Sequence, residues 1–269
     1  MIHRPVLTQI EANMRAVGRQ GRRVIGLVGF EIFISPGQLD HLTFAVPLPA
    51  EPTHWAGAVA EMQAIFAQYD KRPRLEYIAD LHPELGAALE EAGLVCESRA
   101  PVMVLDAADL APPPLQSPPA QYRRLTADNA PLLKAYLINQ SIAYGGSGGP
   151  DALDWLPNLQ HGLTNGEFMG AVLEQAGEMV SGATIQIGGG IGELAGVWSA
   201  PQQRGQGLAF ALCQQLLADY TAVGQIHCWL SAAEGAQRLY EKLGFVPVGT
   251  QLNYGRPSGL ATRATAVAR

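Results

Sequence analysis

The chain has 269 residues, 48% of them hydrophobic and 16% charged, with a formal net charge of −6. This describes a soluble globular protein with a sizeable core, in one large or two ordinary domains. The acidic balance excludes a general nucleic-acid binder, so a polyanionic ligand is expected to be held by local groups rather than by the overall field. Cys96, Cys213 and Cys228 lack metal-ligand spacing and suit a reducing cytosol better than a disulfide framework. No apolar run reaches the roughly 18–20 residues of a bilayer span, and MIHRPVLTQIEANMR lacks the apolar segment of a signal peptide. The expectation is a cytoplasmic protein, a monomer or homodimer, with no metal, membrane or nucleic-acid partner.

The elements follow in chain order. Val6 to Gln20 reads as a modest amphipathic helix, and Arg23 to Ser35 as a strand ended by Pro36-Gly37. His41 to Val46 is a second strand. Pro52 to Tyr69 is helical, with Trp55, Val59, Met62 and Phe66 at helical spacing. Leu75 to Ala79 is a strand, Pro83 to Ala92 a helix and Val95 to Leu105 a strand. Composition then shifts to DAADLAPPPLQSPPAQ, Asp106 to Gln121, a semi-extended linker and the best boundary. The organisation read from this is residues 1–110, a linker at 111–121, a domain at 122–256 and a frayed tail at 257–269.

In the second half, Tyr122 to Leu125 is a strand, and a helix starts near Thr126 and Asp128. A loop rich in Gly and Ser, Tyr144 to Asp151, leads to a helical or irregular piece around Trp155. Phe168 to Glu174 and Met179 to Ile187 form a hairpin. Gly188-Gly189-Gly190 then turns the chain into the strand Glu193 to Ser199. Leu208 to Tyr220 is a helix, Gln225 to Leu230 a strand, Glu234 to Leu243 a helix, and a last strand starts at Phe245.

The stretch GELAGVWSAPQQRGQGLAF, Gly192 to Phe210, joins a strand to a helix through a glycine-containing loop. Helix starts leave N–H groups unpaired and carry partial positive charge, and glycine lets backbone approach a bulky phosphate. Alone, the stretch fits an anion site or an ordinary helix entry equally well.

The two halves resemble each other. Displacement by 151 positions, the separation of Leu89 and Tyr240, superposes Val46–Ser98 on Val197–Gly249 without a gap. Identical pairs include Ala58/Ala209, Gln63/Gln214, Tyr69/Tyr220, Glu90/Glu241 and Gly93/Gly244. This reads as a duplicated α/β unit. Opposite Arg204-Gly205-Gln206-Gly207 stands Thr53-His54-Trp55-Ala56, and opposite Tyr240 stands Leu89. One site, in the second half, is the economical inference.

Two motifs carry a family resemblance. Val197-Trp198-Ser199-Ala200-Pro201 is followed by Arg204-x-x-Gly207-x-Ala209, and further on comes Ala236-x-x-x-Tyr240-Glu241-Lys242-Leu243-Gly244-Phe245. In this order and separation they resemble the GNAT superfamily of acetyl-CoA-dependent N-acetyltransferases, over roughly Tyr122 to Tyr254. The first half is similar to a degenerate copy of the same fold, as in tandem acetyltransferases with one silent copy. The resemblance implies an α/β (α+β) protein of two such units, each a mixed, largely antiparallel sheet flanked by helices.

It also implies an acetyl-CoA-dependent transfer to a primary amine of a small molecule, peptide or protein. Backbone groups of Val197, Trp198 and Ser199 would pair with the pantetheine arm, which needs this strand to splay from Gln225–Leu230. Arg204, Gly205, Gln206, Gly207, Leu208, Ala209 and Phe210 would hold the pyrophosphate. Tyr240 fits the acid that protonates the departing thiolate, against the alternative of a core tyrosine. Glu193 fits the general base, against a solvated strand-start carboxylate. His161, Asp151 and His227 are weaker bases. Tyr144, Asp151 and Trp155 are candidates to meet a cationic or aromatic acceptor, or belong to a plain surface loop. One departure stands out: the family often has Asn seven residues before the tyrosine, and here it is Ala233, with Ser231 as a conceivable substitute. A non-catalytic acyl-CoA-binding regulatory module is the alternative.

Overall fold

The computed structural model describes residues 3–36, 42–49, 54–113 and 120–257. Gly37, His41, Thr53, the middle of the linker (114–119) and the tail from 258 lie outside the described residues. The chain divides into two compact units: Met1–Met103 with Ser231–Arg238 and Pro247–Arg269, and Val104–Leu230 with Leu239–Val246.

The first unit runs α1 (Arg4–Arg19), β1 (Arg23–Gly26), β2 (Phe30–Ile34), β3 (Phe44–Pro47), α2 (Trp55–Gln68), β4 (Arg74–Ile78), α3 (Leu85–Glu91) and the start of β5 (Val95–Asp106). The segment 23–35, expected as one strand, is a hairpin. Gly29 takes φ +86°, and the Leu27 N–H donates to the Phe30 carbonyl at 2.8 Å, which reverses the chain. β2 is buried on both faces. Phe30, Ile32 and Ile34 join Trp55, Val59 and Met62 of α2 in one core. The alternate residue Phe33 packs at a tilt against Phe44 and lies against Gly18 of α1, where any Cβ would strike its ring. The strand order is β1-β2-β3-β4-β11, where β11 is Val246–Gly255. β3 and β4 are parallel and the other pairs antiparallel, with Gln251–Gly255 in register against Ile78–Arg74.

The second unit contains β6 (Gln121–Arg124), α4 (Ala130–Ala143), α5 (Leu156–Asn165), β7 (Phe168–Gln175), β8 (Glu178–Gly188), β9 (Ile191–Ser199), α6 (Leu208–Ala222) and β10 (His227–Ser231, through Leu230). It also takes most of α7 (Gln237–Leu243). α4 starts later than expected because Asn129 caps it, its side-chain oxygen accepting from the Leu132 N–H at 3.2 Å. Ala176 (φ +52°) and Gly177 (φ +83°) close the β7–β8 hairpin. The order is β10-β9-β8-β7-β6, parallel only between β9 and β10. α6 covers one face, where Gly192 lies against Tyr220. α4 and α5 cover the other, through a core of Leu133, Tyr136, Leu159, Phe168, Val172 and Trp198. Each unit is thus a mixed, mostly antiparallel sheet flanked by helices. Among the described residues, no helix is long and apolar enough to cross a membrane.

Candidate functional site

The site is built on the edge of β9. Along β8, Ala195 faces Thr184 and Trp198 faces Gly182, so two β9 residues, Gly196 and Val197, oppose Ala183 alone. This is a β-bulge. Gly196 sits there at φ +60°, a conformation that favours glycine, and a Cβ on it would have to displace the Gln140 amide. On its other side β9 is paired to β10 only at Gly192–Cys228 and Glu193–Trp229. Beyond Glu193 the two strands part, as the sequence reading required. After the bulge, the Ala200 N–H donates to Val180 of β8 at 2.9 Å. By alternation, Val197 and Ser199 turn their N–H and C=O groups toward the opened side. The Val197 carbonyl accepts the Tyr144 hydroxyl proton at 2.9 Å.

The opened edge leads directly into the loop. After a 3-10 turn at Pro201–Gln203 the chain is exposed through Arg204–Gly207, with Gly205 and Gly207 at φ +79° and +78°. Gly207 is the N-cap of α6 and brings no capping side chain. The first-turn N–H groups of Leu208, Ala209 and Phe210 have no acceptor within a helix. Those of Arg204 to Gly207 find no backbone acceptor among the described residues. Leu208 is buried and anchors the helix start in the core. Arg204 adds a guanidinium, whose Nη2 donates to the Ala143 carbonyl at the end of α4, 3.3 Å away.

Tyr240 projects from α7 and is only 8% exposed, its ring 6.0 Å edge-on from Phe245. Among the described residues no hydrogen bond reaches its hydroxyl. Burial holds its phenol protonated well above the usual tyrosine range, and the neighbouring Cys213 and Tyr144 add to the shift. Tyr144 is 63% exposed as a residue, yet its hydroxyl end is tucked against Val197, and burial there pushes it up to about 12. Burial likewise lifts the Cys213 thiol to about 12, so this cysteine is an inert neighbour. Tyr240, Tyr144 and Cys213 therefore cluster near the opened edge of β9.

Glu193 stands opposite Gln186 across β8 and β9. Directly opposed residues share a face, so Glu193 points to the α4–α5 side of the sheet. On that side a cavity of about 60 Å³ lies between α4, α5 and the bulge, lined among others by Tyr136, Gln140, Trp155, Thr184, Gln186 and Gly196. Trp155 thus meets the cavity, whereas Asp151 is exposed on the 3-10 turn Pro150–Leu153 and lines none of it. The Trp198 indole is buried on the same side, in the core of α4 and α5, leaving only its backbone at the edge. His161 contacts Asn165 on exposed α5, and His227 lies 3.4 Å from Asp106. Ser231 and Ala233 belong to the piece grouped with the first unit. Among the described residues no cluster suited to a metal is present. Tyr136, Gln140, Thr184 and Gln186 were not singled out in the sequence. The i, i+4 spacing of Tyr136 and Gln140 and the alternation of Thr184 and Gln186 align each pair, but neither spacing marks chemistry.

A sequence model of the Acetyltransferase (GNAT) family matches residues 135–245. The matched stretch holds the bulge, the glycine loop, α6 and Tyr240. Among solved structures, a GCN5-related N-acetyltransferase from Kribbella flavida is similar at 23% identity and a TM-score of 0.77, covering 94% of this chain and 96% of its own. One from Sphaerobacter thermophilus has 15% identity and a TM-score of 0.63, covering 96% and 93%. A GCN5-related N-acetyltransferase-like protein from Streptococcus suis 89/1591 has 16% identity and a TM-score of 0.58, covering 91% and 92%. At these identities the likeness speaks for the fold. A search of curated proteins found no match.

Proposed function

We propose that the second unit transfers the acetyl group of acetyl-CoA to a primary amine by direct attack of the amine on the thioester. The observation that carries this reading is the continuity of the opened β9 edge with the unpaired N–H groups at the start of α6. The fit is favourable at both ends. A Cβ at Gly205 or Gly207 would meet nothing within 4 Å, so the loop faces open space in which a phosphate can approach backbone. Val197 and Ser199 offer the donors and acceptors that a pantetheine amide needs. Acetyl-CoA supplies the acyl carbonyl and a thiolate leaving group.

In this reading the Val197–Ser199 backbone holds the arm. Arg204 and the N–H groups from Gly205 to Phe210 hold the pyrophosphate. Tyr144 gives up its bond to Val197 when the arm is seated. Glu193, on the acceptor side, takes the first proton from the incoming ammonium, directly or through water. Tyr240 donates its proton to the departing sulfur and is restored by the second proton leaving the nitrogen. One C–N bond forms, one C–S bond breaks, and one proton reaches solvent. The raised affinity of Tyr240 for its proton keeps it in the donating form throughout the neutral range.

Residues 1–110 we read as a degenerate copy of the same unit. Hairpin, third strand, helix, parallel strand and helix follow in the same order in both units. The buried Leu89 stands at the Tyr240 position.

The test is Tyr240→Phe. Turnover should fall by roughly 10²–10⁴-fold, the usual worth of a positioned general acid, while the acetyl-CoA Kd stays within about twofold. A variant that acetylates at the wild-type rate would remove Tyr240 from the mechanism.

A further inference from the structure

We infer that the cavity beside the β9 bulge is the acceptor pocket, and that it selects an alkylammonium head over an amine that carries a carboxylate next to its nitrogen. This rests on the acetyl-transfer reading and extends it to the class of acceptor.

Position comes first. Gly196 lines the cavity and is the first bulge residue, one position before Val197. Gln140 fixes this wall, its Nε2 donating to the Tyr136 hydroxyl at 2.9 Å and to the Gly196 carbonyl at 3.4 Å. The Thr184 hydroxyl donates to the Ala195 carbonyl at 3.3 Å, on the other flank of the bulge. A nitrogen seated in the cavity therefore points at the stretch of β9 where the edge opens.

Chemistry follows. None of the residues lining the cavity is Lys, Arg or His, so a carboxylate or phosphate entering it would find no counter-charge. The polar groups there are amides and hydroxyls, and Tyr136, Trp155 and Phe168 bring aromatic surface. Aromatic faces attract an ammonium group and tolerate its methylene stem. Glu193 does not line the cavity but stands across the strands from Gln186 on this same face, the nearest carboxyl along β9.

Size narrows the choice. Whole small-molecule sites run to about 300–1,000 Å³, whereas this cavity is about 60 Å³. It accommodates the amine end of a ligand with a short apolar stem, whether a free alkylamine or a lysine-type side chain on a larger molecule.

The experiment measures thiol release from acetyl-CoA by the full chain with n-butylamine, Nα-acetyl-lysine methylamide and 2-aminobutyrate. The first two should each exceed 2-aminobutyrate at least tenfold in kcat/KM. Either order between them upholds the alkylammonium head and tells the free source from the peptide-borne one. Gln186→Arg, which places a cation in the wall, should raise the KM for n-butylamine at least tenfold, with the acetyl-CoA Kd within about twofold of wild type. Should that variant lose acetyl-CoA binding, Trp155→Leu carries the test, with KM raised about fivefold. Equal or better use of 2-aminobutyrate, an unchanged KM in the variant that binds acetyl-CoA, or binding with release on none of the three amines would each overturn the pocket assignment. Failure of the wild-type chain to bind acetyl-CoA would instead overturn the acetyl-transfer reading itself.

Discussion

Two helix starts in this molecule, aligned by the 151-residue displacement of the sequence, differ in what fills them. α2 begins at Trp55 after an extended His54. The Trp55 ring is 8% exposed, 5.4 Å from Phe30 and 5.8 Å edge-on from His82. Side chains of α1 bind the neighbouring strand end, with Arg15 Nη1 donating to the Pro47 carbonyl at 2.8 Å and Glu11 accepting from Arg15 at 3.2 Å. Glu11 also lies 3.0 Å from His82. At the start of α6, Gln206 stands at the Trp55 position. The helix begins two residues later, at Leu208, and the two glycines before it leave open space where a Cβ would stand. Aromatic bulk and a buried polar cluster turn one strand-to-helix junction into core. Glycine and an unpaired strand edge leave the other open, as the proposed ligand site requires.

The largest effect expected from breaking this contrast is at Trp55. Trp55→Ala should cost the first unit about 3–5 kcal/mol through the cavity it leaves, measured by urea unfolding, with the acetyl-CoA Kd of the second unit unchanged. A fall in affinity matching the loss of stability would show that the first unit's junction also serves the ligand.

A smaller, graded effect should appear with pH. Tyrosines with desolvated hydroxyls have raised proton affinity in both units, Tyr77 and Tyr254 in the first, and Tyr122, Tyr136, Tyr144, Tyr220 and Tyr240 in the second. The native chain keeps these protons while the unfolded chain starts to release its own near pH 10. Their contribution is thus intact below about pH 10 and is lost as pH rises toward the folded-state values, about 12 for Tyr144 and Tyr254. Hydrogen exchange between pH 10 and 12 should show protection failing sooner in the second unit, which holds more of these groups. Equal loss in both would mean that the burial difference is not felt as stability.

The order of helices and strands was legible because apolar spacing and Gly/Pro punctuation are local properties of the chain. So were the Arg204–Gly207 loop before α6 and the place of Tyr240 on α7, which residue types and separation mark as candidates. The hairpin at Gly29 was not, because Val24–Ile34 is apolar but for Glu31 and its turn lacks a cluster of turn-forming residues. The pairing of β11 with β4 joins residues more than 170 positions apart, Gln251 with Ile78, and local periodicity holds no information on such a partner. The bulge at Gly196 depends on counting residues against β8, and the bond from Tyr144 to Val197 depends on where α4 ends against β9. For the same reason the cavity wall was invisible: Gln140, Thr184 and Gln186 come together only when α4 and β8 are packed.

In the proposed function one junction binds acetyl-CoA and its counterpart does not. Calorimetric titration of the full chain with acetyl-CoA tests it most directly, read beside Gly207→Val. A side chain at φ +78° costs about 1–2 kcal/mol and intrudes on the space proposed for the pyrophosphate. The predicted result is one acetyl-CoA bound per wild-type chain and at least tenfold weaker binding in the variant. Two bound per chain, or undiminished binding in Gly207→Val, would contradict it.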